Sequence, residues 1–178
     1  MKKLLLSILM LLMCSFCFAQ HLTYSTFMKV IKKTERVSEF NDAIGAYGYN
    51  YGGSYISDKG NENETQYTFW LKNCHHIEST SRVEWERGID RSFLVLVYKP
   101  SGRISGWANY TFHSKSAYKT FISTAKQNGF IFKNDGLEDS FIYIYFERIN
   151  KTKQHKECMK FLEYTDQEYK VMYWIEGL

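Results

Sequence analysis

The chain has 178 residues, with 23 basic against 19 acidic side chains, 17% aromatics and a single proline. That size holds one ordinary domain or two small ones, and the composition is sheet-rich rather than disordered. A net charge of +4 gives no basic face suited to nucleic acid, and no apolar run reaches the roughly 20 residues of a membrane-spanning helix.

The chain opens "MKKLLLSILMLLMCSFCFAQ". Lys2 and Lys3 precede an apolar run from Leu4 to Met13, and Cys17-Phe18-Ala19 is a small-x-small pattern before Gln20. This reads as a secretory signal peptide over residues 1–19, cleaved after Ala19. The short, lysine-led style is bacterial, so the periplasm or the extracellular space is expected. A lipid anchor at Cys14 or Cys17 competes, but Met13 and Phe16 stand where a lipoprotein signal needs a small residue.

Thr23 to Ile44 reads as one helix. Phe27, Val30, Ile31, Thr34, Val37, Phe40 and Ile44 recur at intervals of three and four, a stripe suited to a core. Thr23 or Ser25 can cap it, and Gly45 can end it. "AYGYNYGGSYIS" follows, then the polar loop "SDKGNENE" and the strand candidate "TQYTFWLKN". "SRVEWE" alternates within the insert 74–91. "SFLVLVY", a "KPSG" turn and "RISGWANYTF" read as a hairpin. Ser114 to Asn128 is a second helix, buried through Ala117, Tyr118, Phe121, Ile122 and Ala125, and stopped by Gly129. Then come "FIFK", an "NDG" turn, "SFIYIYFERI", "KECMKFLEY", a "TDQ" turn and "EYKVMYWIE".

The order is helix then several strands, twice. "STFMKVI" at 25–31 matches "SAYKTFI" at 116–122, and "QYTFWLK" matches "FIYIYFE" in character. The fold class expected is therefore α+β, as two tandem units of a helix plus a four-stranded antiparallel sheet, a possible internal duplication. The units would occupy residues 20–112 and 113–178. In "SFIYIYF" both strand faces are apolar, with Ile142, Ile144 and Phe146 on one and Phe141, Tyr143 and Tyr145 on the other. A second face of that kind is either covered or presents aromatics to a partner. In element order this resembles the secreted beta-lactamase-inhibitor-like and PepSY-like proteins. The resemblance implies paired units that offer an aromatic-rich sheet surface to a protein partner, and it carries no site residue over to this chain.

"KNCHHIE" at 72–78 holds the residues closest to chemistry. On a strand, Cys74, His76 and Glu78 share one face and His75 points away. All three are acceptable zinc ligands, but alternate residues on one strand do not wrap a metal unaided. His113, His155 and Cys158 lie elsewhere without ligand spacing, so no metal and no cofactor is expected. A Cys–His hydrolase needs a thiolate beside a histidine that a third group orients, which neighbouring His75 and His76 do not provide. The reading preferred is a disulfide between Cys74 and Cys158, the pair left after removal of the leader in an oxidising compartment; two free, buried cysteines are its main rival.

Tyr47, Tyr49, Tyr51 and Tyr55 alternate among Gly45, Gly48, Gly52 and Gly53. Tyrosine gives rigid contact area, and glycine lets a partner approach the backbone; a twisted edge strand explains the same pattern. These four are the candidate binding residues. Trp70, Trp85, Trp107 and Trp174 are expected in the core. The expectation is an exported, non-catalytic protein that binds a protein partner, as an inhibitor or immunity protein does. The alternatives are an envelope hydrolase or metal-dependent enzyme using Cys74, His76 and Glu78, and a carbohydrate- or small-ligand-binding protein using the tyrosines.

Overall fold

The computed structural model describes residues 21–32, 37–77, 79–80, 82–86, 91–98 and 107–177. The leader at 1–19, Glu78 and the "KPSG" and "GRISG" segments lie outside the described residues.

Thr23 caps the first helix as expected: its hydroxyl accepts from the Thr26 amide at 3.2 Å, opening α1 (Tyr24–Ile31). The single helix expected from Thr23 to Ile44 is instead α1 and α2 (Val37–Gly45). The stripe serves two different strands. Phe27 stacks on Tyr110, while Phe40 meets the edge of Trp70 at 4.5 Å. The strands that follow are β1 (Asn50–Ser57), β2 (Thr65–Lys72), β3 (Cys74–Ile77), β4 (Arg82–Trp85), β5 (Ser92–Tyr98) and β6 (Trp107–Phe112). The second helix, α3 (Lys115–Gln127), is capped by Ser114 and ends before Gly129, whose φ of +85° suits glycine. It leads into β7 (Ile131–Glu138), β8 (Phe141–Asn150), β9 (His155–Tyr164) and β10 (Tyr169–Gly177).

Two tandem helix-plus-sheet units are not what these elements build. Among the described residues the protein is mostly β, 54% strand with three short helices. One antiparallel sheet of eight strands runs β1-β2-β5-β6-β10-β9-β8-β7, and β3-β4 forms a separate two-stranded sheet. The pairing of β6 with β10, from Phe112 opposite Tyr169 to Ala108 opposite Tyr173, makes the sheet continuous. The physical reason is that two apolar strands with unpaired edges satisfy their backbone groups by pairing with each other. A local pattern of alternation cannot state which edge meets which.

The "NDG" segment is also not a turn. β7 passes straight through it, with a bulge between Phe132 and Asn134, and the chain turns at Asp139, which has φ +42°. Turn-type residues here serve an edge strand: charge, glycine and a bulge make it a poor template for further pairing.

The three described helices lie on one face, called inner here. α2 covers β2 through Phe40, α1 covers β6 through Phe27, and α3 covers β9 and β10 through Tyr118 and Phe121. The inner core includes the fully buried Trp70, Tyr110, Phe112, Phe146, Phe161 and Val171. One polar cluster ties its far end. Arg148 donates to Glu157 and to the carbonyl of Asn128 at 2.8 Å, and it stacks on Phe130 at 4.6 Å. Tyr173 donates to the same Glu157 carboxylate at 3.0 Å. Burial pushes the Glu157 carboxyl up, but Arg148, Tyr173 and His155 outweigh it and hold it below its ordinary range.

Candidate binding surface

The outer face of the sheet has two halves with different fates. Over β2 and β5 sits the β3–β4 hairpin. Cys74, Val83 and Trp85 pack there on Phe69, Leu71, Val95 and Val97, a second apolar cluster. This is the place of "KNCHHIE". His76 lies flat on Phe69, ring centroids 4.0 Å apart. His75 points outward to Glu84 at 3.0 Å, both well exposed. The Cys74 thiol donates to the Ser92 carbonyl at 3.3 Å. Burial pushes that thiol up to about 12, so it is held protonated at neutral pH, the opposite of what a thiolate nucleophile needs. A shallow cleft of about 390 Å³ runs beside these residues, past Tyr51, Asn73 and Glu86. Among the described residues no group of three His, Cys, Asp or Glu side chains is arranged to hold a metal ion.

The disulfide expected between Cys74 and Cys158 is not formed; both cysteines are free and buried. Cys74 sits over β2 and β5, and β6 and β10 intervene before β9, which carries Cys158. Three strand spacings amount to about 14 Å, whereas a disulfide needs Cα atoms within about 7 Å.

The four candidate tyrosines do not share a surface. Tyr49 is 3% exposed, and its hydroxyl is bonded to Ser92 Oγ in the core. Tyr47 lies exposed in the turn after α2. Tyr51 pairs with Trp70 and so faces the helix side, while Tyr55 pairs with Tyr67 and faces outward. The bulge at Gly52 breaks the alternation between them. Of the tryptophans, Trp70 is in the inner core, Trp85 and Trp107 flank the hairpin cluster, and Trp174 is half-buried on the open half of the outer face.

That open half, over β8, β9 and β10, brings together aromatics that the sequence did not single out as a site. Tyr145 and Trp174 stand side by side, 5.7 Å apart and within 9° of parallel. The Tyr145 hydroxyl donates to Glu147 at 2.8 Å and reaches the Cys158 sulfur at 3.2 Å. The Trp174 indole donates to Glu176 at 2.7 Å. Lys156 bridges those two carboxylates, at 3.0 Å and 2.8 Å, and Lys133 adds a contact to Glu147 at 3.2 Å. Lys156 in particular holds the Glu147 carboxyl down to about 2. Burial pushes the Tyr145 phenol and the Cys158 thiol up.

A second group sits one turn of the pleat away. Tyr143 lies across Gly136 of β7, so close that a Cβ there would meet its ring at 2.8 Å and its hydroxyl at 2.9 Å. Lys160 caps the Tyr143 ring at 4.2 Å and pairs with Glu138 at 3.2 Å. The result is a sheet face of aromatic rings whose orientations are fixed by charged neighbours. Such rings lose little freedom on contact with a partner. The signal available in sequence was the alternation of Lys156, Cys158 and Lys160, which becomes meaningful only once β9 is known to set them opposite Ile149, Glu147 and Tyr145 of β8. No family model, curated relative or solved structure matches the chain.

Proposed function

We propose that this is an exported, non-catalytic protein that binds a protein partner through the outer face of β8, β9 and β10, in an inhibitor- or immunity-type role. The observation that carries the reading is the fixed pair Tyr145 and Trp174 beside Tyr143, on a sheet face that no described element covers. Large, rigid aromatics with satisfied polar tips are the residues that dominate protein interfaces. The protonated, buried Cys74 favours binding over the hydrolase alternative. Export rests on the leader-like residues 1–19.

The test has two arms. Intact mass of protein recovered from the cell exterior or periplasm should begin at Gln20. Partners cross-linked to the native chain should be lost with Trp174→Ala and Tyr145→Ala, each weakening the complex at least tenfold, and kept with Tyr47→Ala. Retention of the complex by both face variants, with the fold intact, would sink the reading.

A further inference from the structure

The helix layer stops short of the sheet. α2, α1 and α3 account for the inner face from β2 to β9, and nothing described lies over β7 and the outer half of β8. Phe132, Leu137 and Ile142 point to that same inner side and are 50%, 75% and 53% exposed. β8 is covered at Phe146, which is fully buried, and at Ile144, which packs on the core, so the open strip is β7 with the Ile142 end of β8, and a helix of about 10 Å diameter seated there overhangs the β7 edge. The strip widens into a cleft of about 510 Å³ at the end nearest the α3 N-terminus, lined by Leu137, Ile142 and Lys115.

The wall of this groove is charged in one sense. Lys115, Lys119, Ile122 and Lys126 recur at four, three and four along α3, which places them on one flank of the helix. Their contacts show that the flank faces the groove: Lys115 reaches Glu163 of β9 at 2.8 Å, and Lys126 lies 5.6 Å over the Phe146 ring of β8. Lys115 is neutralised by Glu163. Lys119 and Lys126 have no carboxylate partner among the described residues. On the far rim the charge reverses, at Asp135 of β7. A groove with an apolar floor, a lysine wall and an acidic outer rim is complementary to one kind of segment.

We infer that this groove receives an amphipathic helix of a partner protein, apolar side down on Leu137 and Ile142 and acidic flank toward Lys119 and Lys126, completing the helix layer as a fourth member. This site lies on the opposite face of the sheet from the aromatic surface and does not depend on it. α3 is 13 residues long, about 20 Å, so a partner helix of about four turns matches it.

The probe is a designed 15-residue helix with leucines at i, i+3, i+4 and i+7, glutamates on one flank and lysines on the other. Its mirror-charged twin and a scrambled peptide serve as controls. Fluorescence anisotropy against the full mature chain should show saturable binding of the first peptide, at least tenfold tighter than the twin. Leu137→Ser should weaken it about tenfold, as loss of a floor contact would. The double variant Lys119→Glu with Lys126→Glu should weaken the first peptide about tenfold and bring the twin to equal or better affinity, the scale expected of two partly exposed charge pairs reversed. Leu137, Lys119 and Lys126 are exposed and Trp174 is half-buried, and circular dichroism checks that the variants fold. No saturable binding below about 1 mM (weaker than about 4 kcal/mol), equal binding of the two peptides, or loss of binding on Trp174→Ala would overturn the inference. So would concentration-dependent dimerisation abolished by Leu137→Ser, since a second copy would then fill the groove. Binding of anionic lipid vesicles that competes with the peptide would overturn it as well.

Discussion

Gly136 is the residue on which the position of Tyr143 depends. In a strand, glycine costs stability through its unfolded freedom, so alanine is ordinarily the better residue. Here an added Cβ would sit 2.8 Å from the Tyr143 ring, and the ring would have to leave Lys160. Gly136→Ala is therefore expected to lower stability by about 1 kcal/mol, and to be neutral or stabilising in a Tyr143→Ala background. Equal effects in both backgrounds, by urea unfolding, would refute the contact. The cysteines make a second case. Both are free and buried, with thiols pushed up by burial. Native protein should resist alkylation at Cys74 and Cys158, and denatured, unreduced protein should take up one alkyl group at each. Mass spectrometry decides this, and a mass about 2 Da below the reduced chain would show a disulfide instead. Burial is a property of the fold, so parity and compartment pointed to a bond that distance forbids.

At the scale of elements, a charged cluster ties the end of α3 to the sheet beside the apolar packing of Tyr118 and Phe121. Arg148 connects the carbonyl of Asn128, which caps the end of α3, to the Phe130 ring and the buried Glu157. Arg148→Ala would leave Glu157 without its cation inside the protein, at a cost of about 3 kcal/mol. The pH dependence follows from the sign of the Glu157 shift. Its folded-state carboxyl is held below the ordinary value, so the stabilisation is complete above an unfolded value of about 4.3 and is lost as pH falls through the folded one. Thermal melts between pH 6 and pH 3 should show a shallower acid loss for Glu157→Gln than for the native chain. Parallel curves would assign the acid loss to other groups. Arg148 and Glu157 are unremarkable in sequence, nine residues apart on successive strands. The β8–β9 register, which sets Arg148 opposite Glu157, makes them a pair.

Over the whole molecule, one core runs beneath both ends of the sheet, from Trp70 of β2 to Phe146 of β8. The chain should unfold in a single transition, with calorimetric and van't Hoff enthalpies equal. Residues 20–112 made alone would expose the β6 edge and half of that core, and should show no cooperative melt. A sharp transition in that fragment would mean that the halves are independent. The local elements were legible because they follow from local physics. Thr23 and Ser114 cap helices, Gly129 ends one, and apolar periods of 3.6 and 2 separate α3 from the strands on either side of it. The split of the first helix and the passage of β7 through "NDG" were not legible, because both depend on what those residues pack against. By itself the sequence determined the two caps, α3, most of the strands and the leader-like start, since each is encoded within a few neighbouring residues. Only the tertiary structure decided that β6 joins β10, that Cys74 and Cys158 lie too far apart to bond, and that Tyr143, Tyr145 and Trp174 meet on one face. Those are pairings between segments distant along the chain, and residue order does not encode the choice among strand edges of similar chemistry.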